Sequence, residues 1–253
     1  MCGFTIKIIN VKKITGTLLQ EIITLHKSTF FLPDDLIINS ISEKETLLLY
    51  RDKHTKKLIG TVALQWLAYE RCVVYYAGSV VVDNNYRRSG IFSHSQLYAA
   101  LLTFLKFPFK KKFGSGFLTT SQVFSWTSKM PSFWPQEGQE TPTEIMELMH
   151  KLASTIAGHN HYRIENGIIL VSRLADELEK RGIKKICVNK NLNKEKNFFS
   201  KVNKSAARGE QMLIICPFTF KNAITHVKTY FEGRFLAIKE RCSTVYLTYK
   251  KLI

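Results

Sequence analysis

"VVVDNNYRRSGIFS", residues 80–93, runs an apolar strand into a polar turn with two arginines and one glycine, and then into a helix. A strand that enters a glycine turn and opens a helix is a ready anion site. The first helical amides lack intrahelical partners and point at whatever occupies the turn, and the helix dipole adds to the attraction. Glycine at position 90 lets the backbone come close without a Cβ in the way. The spacing is neither GxGxxG nor GxxxxGK(S/T), which argues against a dinucleotide-binding fold and against a nucleoside triphosphatase.

Working outward, "FTIKIINV" (4–11) alternates and predicts a first strand. "TGTLLQEIITLHKSTF" (15–30) sets Leu18, Ile22 and Leu25 on one helical face, and "PDDLIINSI" (33–41) predicts a second, shorter helix. "ETLLLYRD" and "KLIGTVALQWLAYE" read as strands joined by the turn "KHTK" (53–56), a hairpin. "RCVVYYAGSVVVD" (71–83) is nearly all apolar, as expected of a central strand covered on both faces. After the turn, Leu97, Leu101, Phe104 and Leu105 mark a helix that Ser93 or Ser95 would cap. "GFLTTS" (116–121) reads as a short buried strand and "QVFSWTSKM" (122–130) as a short helix. Residues 1–135 therefore predict β-α-α-β-β-β-α-β-α around a mixed sheet.

The second half is less regular. Ile145, Leu148, Met149, Leu152 and Ile156 keep helical register behind a Thr141 or Thr143 cap. "GIILVSRLADELEKRG" (167–182) reads as a helix closed by Gly182, and "HNHYR" (159–163) as a loop. "EQMLIICPF" (210–218) predicts a strand, "KNAITHVKTYF" (221–231) a helix and "STVYLTYKKLI" (243–253) a terminal strand.

The stretch 80–93 resembles, without gaps, the cofactor-binding segment of the GNAT superfamily of N-acetyltransferases. That family's pattern is an apolar strand, a short polar link with an aromatic, then Q/R-x-x-G-x-G/A opening a helix. Tyr86 fills the aromatic position, Arg87 the Q/R position and Gly90 the first glycine, while Phe92 departs at the second. The resemblance covers roughly half the chain. It implies an α/β fold of the α+β kind, a mixed, mostly antiparallel central sheet flanked by helices. A large helical insertion would precede the last core strands. Residues 1–135 would be the acetyl-coenzyme A-binding core, 136–209 an insertion covering the acceptor side, and 210–253 a strand-helix-strand completing the sheet. "SFWPQ" (132–136) would be the sixth core strand and "EQMLIICPF" the seventh.

The resemblance also implies acetyl-coenzyme A as cofactor and an amine, on a small molecule or a protein, as acceptor. Amides of Arg88, Ser89, Gly90, Ile91, Phe92 and Ser93, next to Arg87, would hold the pyrophosphate. The backbone of Val80, Val81 and Val82 would hold the pantetheine arm, which Ser121 would also contact, and the Val82 amide would polarise the thioester carbonyl. Phe92 would either turn away from the ligand or crowd the pyrophosphate. Where relatives place a glutamate base, this strand has Tyr76, and Ser128 stands where they place an acid tyrosine. Tyr76 and Tyr75 are therefore the catalytic candidates. Glu70 and Asp83, the nearest carboxylates, read as surface residues, as does His94, and no residue set suggests a metal site. The rival reading is a catalytically degenerate fold that binds an anionic partner through a basic surface.

Composition bounds the choice. The 253 residues carry a formal net charge of +17, with lysines spread along the chain rather than gathered in a tail. Such a field favours anionic partners. Charge alone also admits nucleic acid, but no nucleic-acid-binding module is present in the sequence. Five scattered cysteines, none in a CxxC pair, suggest neither a disulfide framework nor zinc, and Cys72 and Cys216 read as core residues. With no signal-peptide pattern and no apolar run long enough to span a bilayer, the expectation is a reduced, cytoplasmic, soluble protein.

Overall fold

The computed structural model of the chain describes residues 3–186, 197–232 and 235. Eight strands form one sheet in the order β1-β2-β3-β4-β5-β8-β7-β6. They are β1 Phe4–Asn10, β2 Thr46–Asp52, β3 Leu58–Ala68, β4 Cys72–Val82, β5 Lys111–Leu118, β6 Tyr162–Glu165, β7 Ile168–Val171 and β8 Gln211–Pro217. The β4–β5 pair is parallel and the other pairings are antiparallel, as the sequence reading expects.

The helices are α1 Gly16–Lys27, α2 Asp34–Ser42, α3 Ile91–Lys106, α4 Ser121–Thr127, α5 Thr143–Ala157, α6 Arg173–Lys180 and α7 Phe198–Val202. Residues 220–232 form a further helix, α8. Helices cover both faces of the sheet, which is why β2 is apolar at successive positions. Leu47 and Leu49 pack with Ile22 and Ile37 of α1 and α2, whereas Leu48 and Tyr50 pack with Ile91 and Ala99 of α3.

The central strand β4 changes face part-way along. Val73, Tyr75 and Ala77 belong to the α3 side, and so do Val80 and Val82, whereas Val81 belongs to the α1–α2 side. The alternation slips by one residue because Val81 pairs with Thr61 and Gly78 with Ala63, leaving one extra residue on β4. Ser79, at a φ of 47°, sits in this bulge.

Several local expectations are corrected. The cap of α3 is Gly90, and Ser95 instead donates to the Phe92 carbonyl. The cap of α5 is Pro142 rather than a threonine. The strand expected at 116–121 is β5, which begins at Lys111, and residues 168–171, expected inside a helix, are strand β7. A four-residue apolar strand and a buried helix turn share one composition, and only the pairing with β8 and β6 decides between them. Residues 159–161 form a 3-10 turn and 162–165 form β6, where a loop is expected. Besides its helices, the segment 136–209 thus supplies two strands. "SFWPQ" makes a single bridge, Trp134 with Ile215, and the place beside β8 is taken by β7. The terminal strand expected at 243–253 lies outside the described residues.

Candidate functional site

The parallel pairing of β4 with β5 ends at Tyr76 and Ser115. Beyond it β4 continues with β3, and β5 continues with β8. A cavity of about 420 Å³ lies at this split, walled by β4 from Tyr75 to Val81 and by β5 from Gly114 to Leu118. The slipped residues Ser79 and Val80 therefore bring main chain to its edge.

The turn at one end of the cavity is built from local hydrogen bonds. Asp83 accepts from the Asn85 amide at 2.9 Å and from the Lys57 ammonium at 2.8 Å, and the Tyr86 hydroxyl donates to Asp52 at 2.8 Å. Arg88 and Gly90 both take positive φ, 62° and 85°, which reverses the chain just before α3. Among the described residues no side chain caps that helix. The Ser89 hydroxyl is buried with no partner among the described residues, a polar atom left for a ligand or water. Arg87 is half-buried and Arg88 exposed, while Ile91 is buried in the α3 core.

Phe92 lines the cavity and packs edge-on against Trp126 of α4. The Ser93 hydroxyl receives the Trp126 indole N–H at 3.2 Å and donates to Thr229 of α8 at 3.2 Å. Ser121 opens α4 fully buried, and its carbonyl accepts from Asn197 at 3.0 Å.

Tyr75 and Tyr76 face opposite sides of the sheet. The Tyr75 hydroxyl donates to Gln96 of α3 at 2.7 Å. Tyr76 stands edge-on to Phe117, with the Lys44 ammonium 5.1 Å above its ring. Burial pushes both phenols well above their ordinary range, so each stays protonated and serves as a hydrogen-bond donor rather than a base. Glu70 is exposed as expected, but Asp83 is buried and held by Lys57, and His94 is half-buried against Phe4, Tyr50 and Tyr98, so neither of these two is the surface residue expected.

The cavity also gathers groups that the sequence reading leaves aside. His26 of α1 is buried 3.3 Å from the Thr61 hydroxyl, and burial lowers its pKa to about 4. His226 of α8 lies against Trp126, its Nδ1 buried without a partner among the described residues, and burial takes it likewise to about 4. Both rings are neutral near pH 7. One signal for His26 was available, because it follows Ile22 by four positions on the apolar face of α1. On the other side stand Glu43, Lys44 and Arg173. Arg173 bridges to Glu43 and Arg181 to Asp35, each at 2.7 Å, and the Phe31 amide donates to the Ile186 carbonyl at 2.6 Å. These contacts tie α6 and the residues after it to α2 and the residues that flank it along one wall. Among the described residues there is no metal-binding cluster, and no helix is long and apolar enough to cross a membrane.

No protein-family model and no curated protein matches the chain. Solved structures similar in fold include an acetyltransferase of Trypanosoma brucei, at 15% identity and a TM-score of 0.40, covering 55% of this chain and 99% of that one. Naa50 of Arabidopsis thaliana, in complex with the bisubstrate analogue CoA-Ac-MVNAL, is similar at 14% identity and 0.39, covering 52% and 85%. Glucosamine-6-phosphate N-acetyltransferase from Arabidopsis thaliana is similar at 14% and 0.37, covering 55% and 99%. These likenesses are distant.

Proposed function

We propose that the chain has the fold of the GNAT superfamily and is a cytoplasmic acetyl-coenzyme A-dependent N-acetyltransferase, passing acetyl to an acceptor amine by direct attack. The observation that carries this reading is the split of β4 from β5 beside an uncapped helix that opens at Gly90. The Ser89 hydroxyl, buried without a partner among the described residues, and the positive φ of Gly90 fit a phosphate cradle. When bound, the cofactor supplies an activated acyl thioester.

In this reading, main-chain amides of residues 88–93 hold the pyrophosphate, with Arg87 and Arg88 adding positive field. The backbone of Val80–Val82 aligns the pantetheine arm, Ser121 lies beside that arm, and the Val82 amide faces the thioester carbonyl. Tyr76, kept protonated by burial, donates toward the reacting centre, while Tyr75 holds Gln96 and the α3 wall in place. In this reading the elements from β1 to α4, together with β8, form the cofactor-binding part of the sheet. Within 136–209, α6 forms the acceptor-side wall through Arg173 and Arg181.

Calorimetry with coenzyme A and acetyl-coenzyme A tests this on the wild type and Gly90→Asp. Saturable wild-type binding that is lost in the variant supports the reading, and absence of wild-type binding at millimolar ligand overturns it. A second reading, a degenerate fold that binds an anionic partner, is favoured by one observation: Tyr76 stands where a carboxylate base is expected. Cofactor binding without turnover of any amine would select it.

A further inference from the structure

We propose that Lys44 is a self-acylation site, an internal amine acceptor held in the cavity; this rests on the acetyl-coenzyme A reading. Lys44 follows α2 and is the lysine among the residues lining the cavity. Its side chain is only 5% exposed, with Cε against Gly78 and Nζ over the Tyr76 ring of β4. It fits there because position 78 is glycine. A Cβ at Gly78 would come within 3.1 Å of Lys44 Cε and 2.9 Å of Tyr76 Cε1.

The amine thus sits over Tyr76, three residues before Ser79 of the bulge and beside the last rung of the β4–β5 pairing. It lies on the acceptor-side wall, over the strand position that Tyr76 takes here in place of the glutamate the resemblance would put there. Its contacts fit a reactive amine rather than a structural cation. Lys112, comparably buried, donates to the carbonyls of Pro108 at 3.0 Å and Lys110 at 2.6 Å. Lys44 Nζ instead lies 3.6 Å from Glu43, which Arg173 neutralises at 2.7 Å. Desolvation lowers its pKa, the direction that raises the neutral, nucleophilic fraction.

The step balances without a further reactant. The ammonium first gives a proton to Glu43 or water. The nitrogen lone pair then attacks the thioester carbonyl carbon, a C–N bond forms and the C–S bond breaks. The sulfur leaves as thiolate and takes up a proton, giving an amide on Lys44 and free coenzyme A. Once acylated, Lys44 loses its charge, and its longer side chain fills the acceptor side of the cavity.

Peptide mapping by mass spectrometry tests this on the full chain incubated with acetyl-coenzyme A, with calorimetry of coenzyme A binding run in parallel. Lys44 should be acetylated at least roughly tenfold faster than the exposed Lys129, a difference of proximity. Gly90→Asp should abolish the excess at Lys44 and leave Lys129 unchanged. Lys44→Arg should bind coenzyme A and show no acetylation on that peptide. If the wild type binds coenzyme A and Lys44 reacts no faster than Lys129, or equally fast in Gly90→Asp, the self-acylation proposal is overturned while the cofactor reading stands. If the wild type does not bind coenzyme A, both fall.

Discussion

Phe92 stands edge-on to Trp126, with ring centroids 4.4 Å apart and planes crossing at 86°. The bulky residue at the second small position of the turn therefore has a partner on α4, and the two rings form part of one cavity wall. The aromatic pair contributes about 1 kcal/mol beyond its buried area. Phe92→Ala should lower the urea midpoint with little change in the slope of the transition. Coenzyme A affinity, read by calorimetry, should hold or tighten. Weaker binding would mean that the ring supports the ligand rather than narrowing its path.

Gly90 holds a φ of 85° at the start of α3. A Cβ in that conformation costs about 1–2 kcal/mol, and asparagine tolerates it better than alanine. Gly90→Ala should therefore be less stable than wild type in thermal unfolding, and Gly90→Asn should fall between them. Equal stability of all three would show that the turn relaxes without strain.

His26 and His226 are both lowered by burial to about 4, against an ordinary value near 6.5. Each stays neutral in the folded chain and takes a proton readily once unfolded. Their contribution is therefore fully present above about pH 6.5 and is lost as pH falls toward 4. It amounts to roughly 3 kcal/mol for each histidine. Denaturant titrations between pH 7 and 4.5 should show a steep decline that His26→Gln makes shallower. An unchanged slope in the variant would exclude His26 as a source.

The α6 wall is held by two unlike kinds of contact. Leu178 is fully buried, whereas the Arg173–Glu43 pair has side chains 45% and 40% exposed. Leu178→Ala should cost about 2–4 kcal/mol through the cavity it leaves. Arg173→Ala should cost less than about 1 kcal/mol, because an exposed pair is screened by solvent. Chemical denaturation of both variants checks the ordering, and a larger loss for Arg173→Ala would assign the wall to electrostatics.

The core elements were legible in the sequence wherever one local period ran long enough. The apolar run 72–82, the glycine turn and the α3 register predict the strand, turn and helix found there. The short strands β6 and β7 were not legible, because four residues do not separate a strand period from a helix period. Caps were missed at α3 and α5 because glycine and proline took the cap positions, with no side-chain hydrogen bond from a nearby serine or threonine.

By itself the sequence determined the order of elements in residues 1–135 and the strand-turn-helix around Gly90, because both depend on neighbours a few positions apart. Only the tertiary structure decided the rest of the site. The slip at Ser79 exists because of pairing with β3, and β7 rather than residues 132–136 lies beside β8 because of sheet pairing. His26, Lys44, Arg173 and His226 meet at one cavity although they are widely separated along the chain. No local periodicity records such meetings. They arise when distant strands pair and helices pack over the split between β4 and β5.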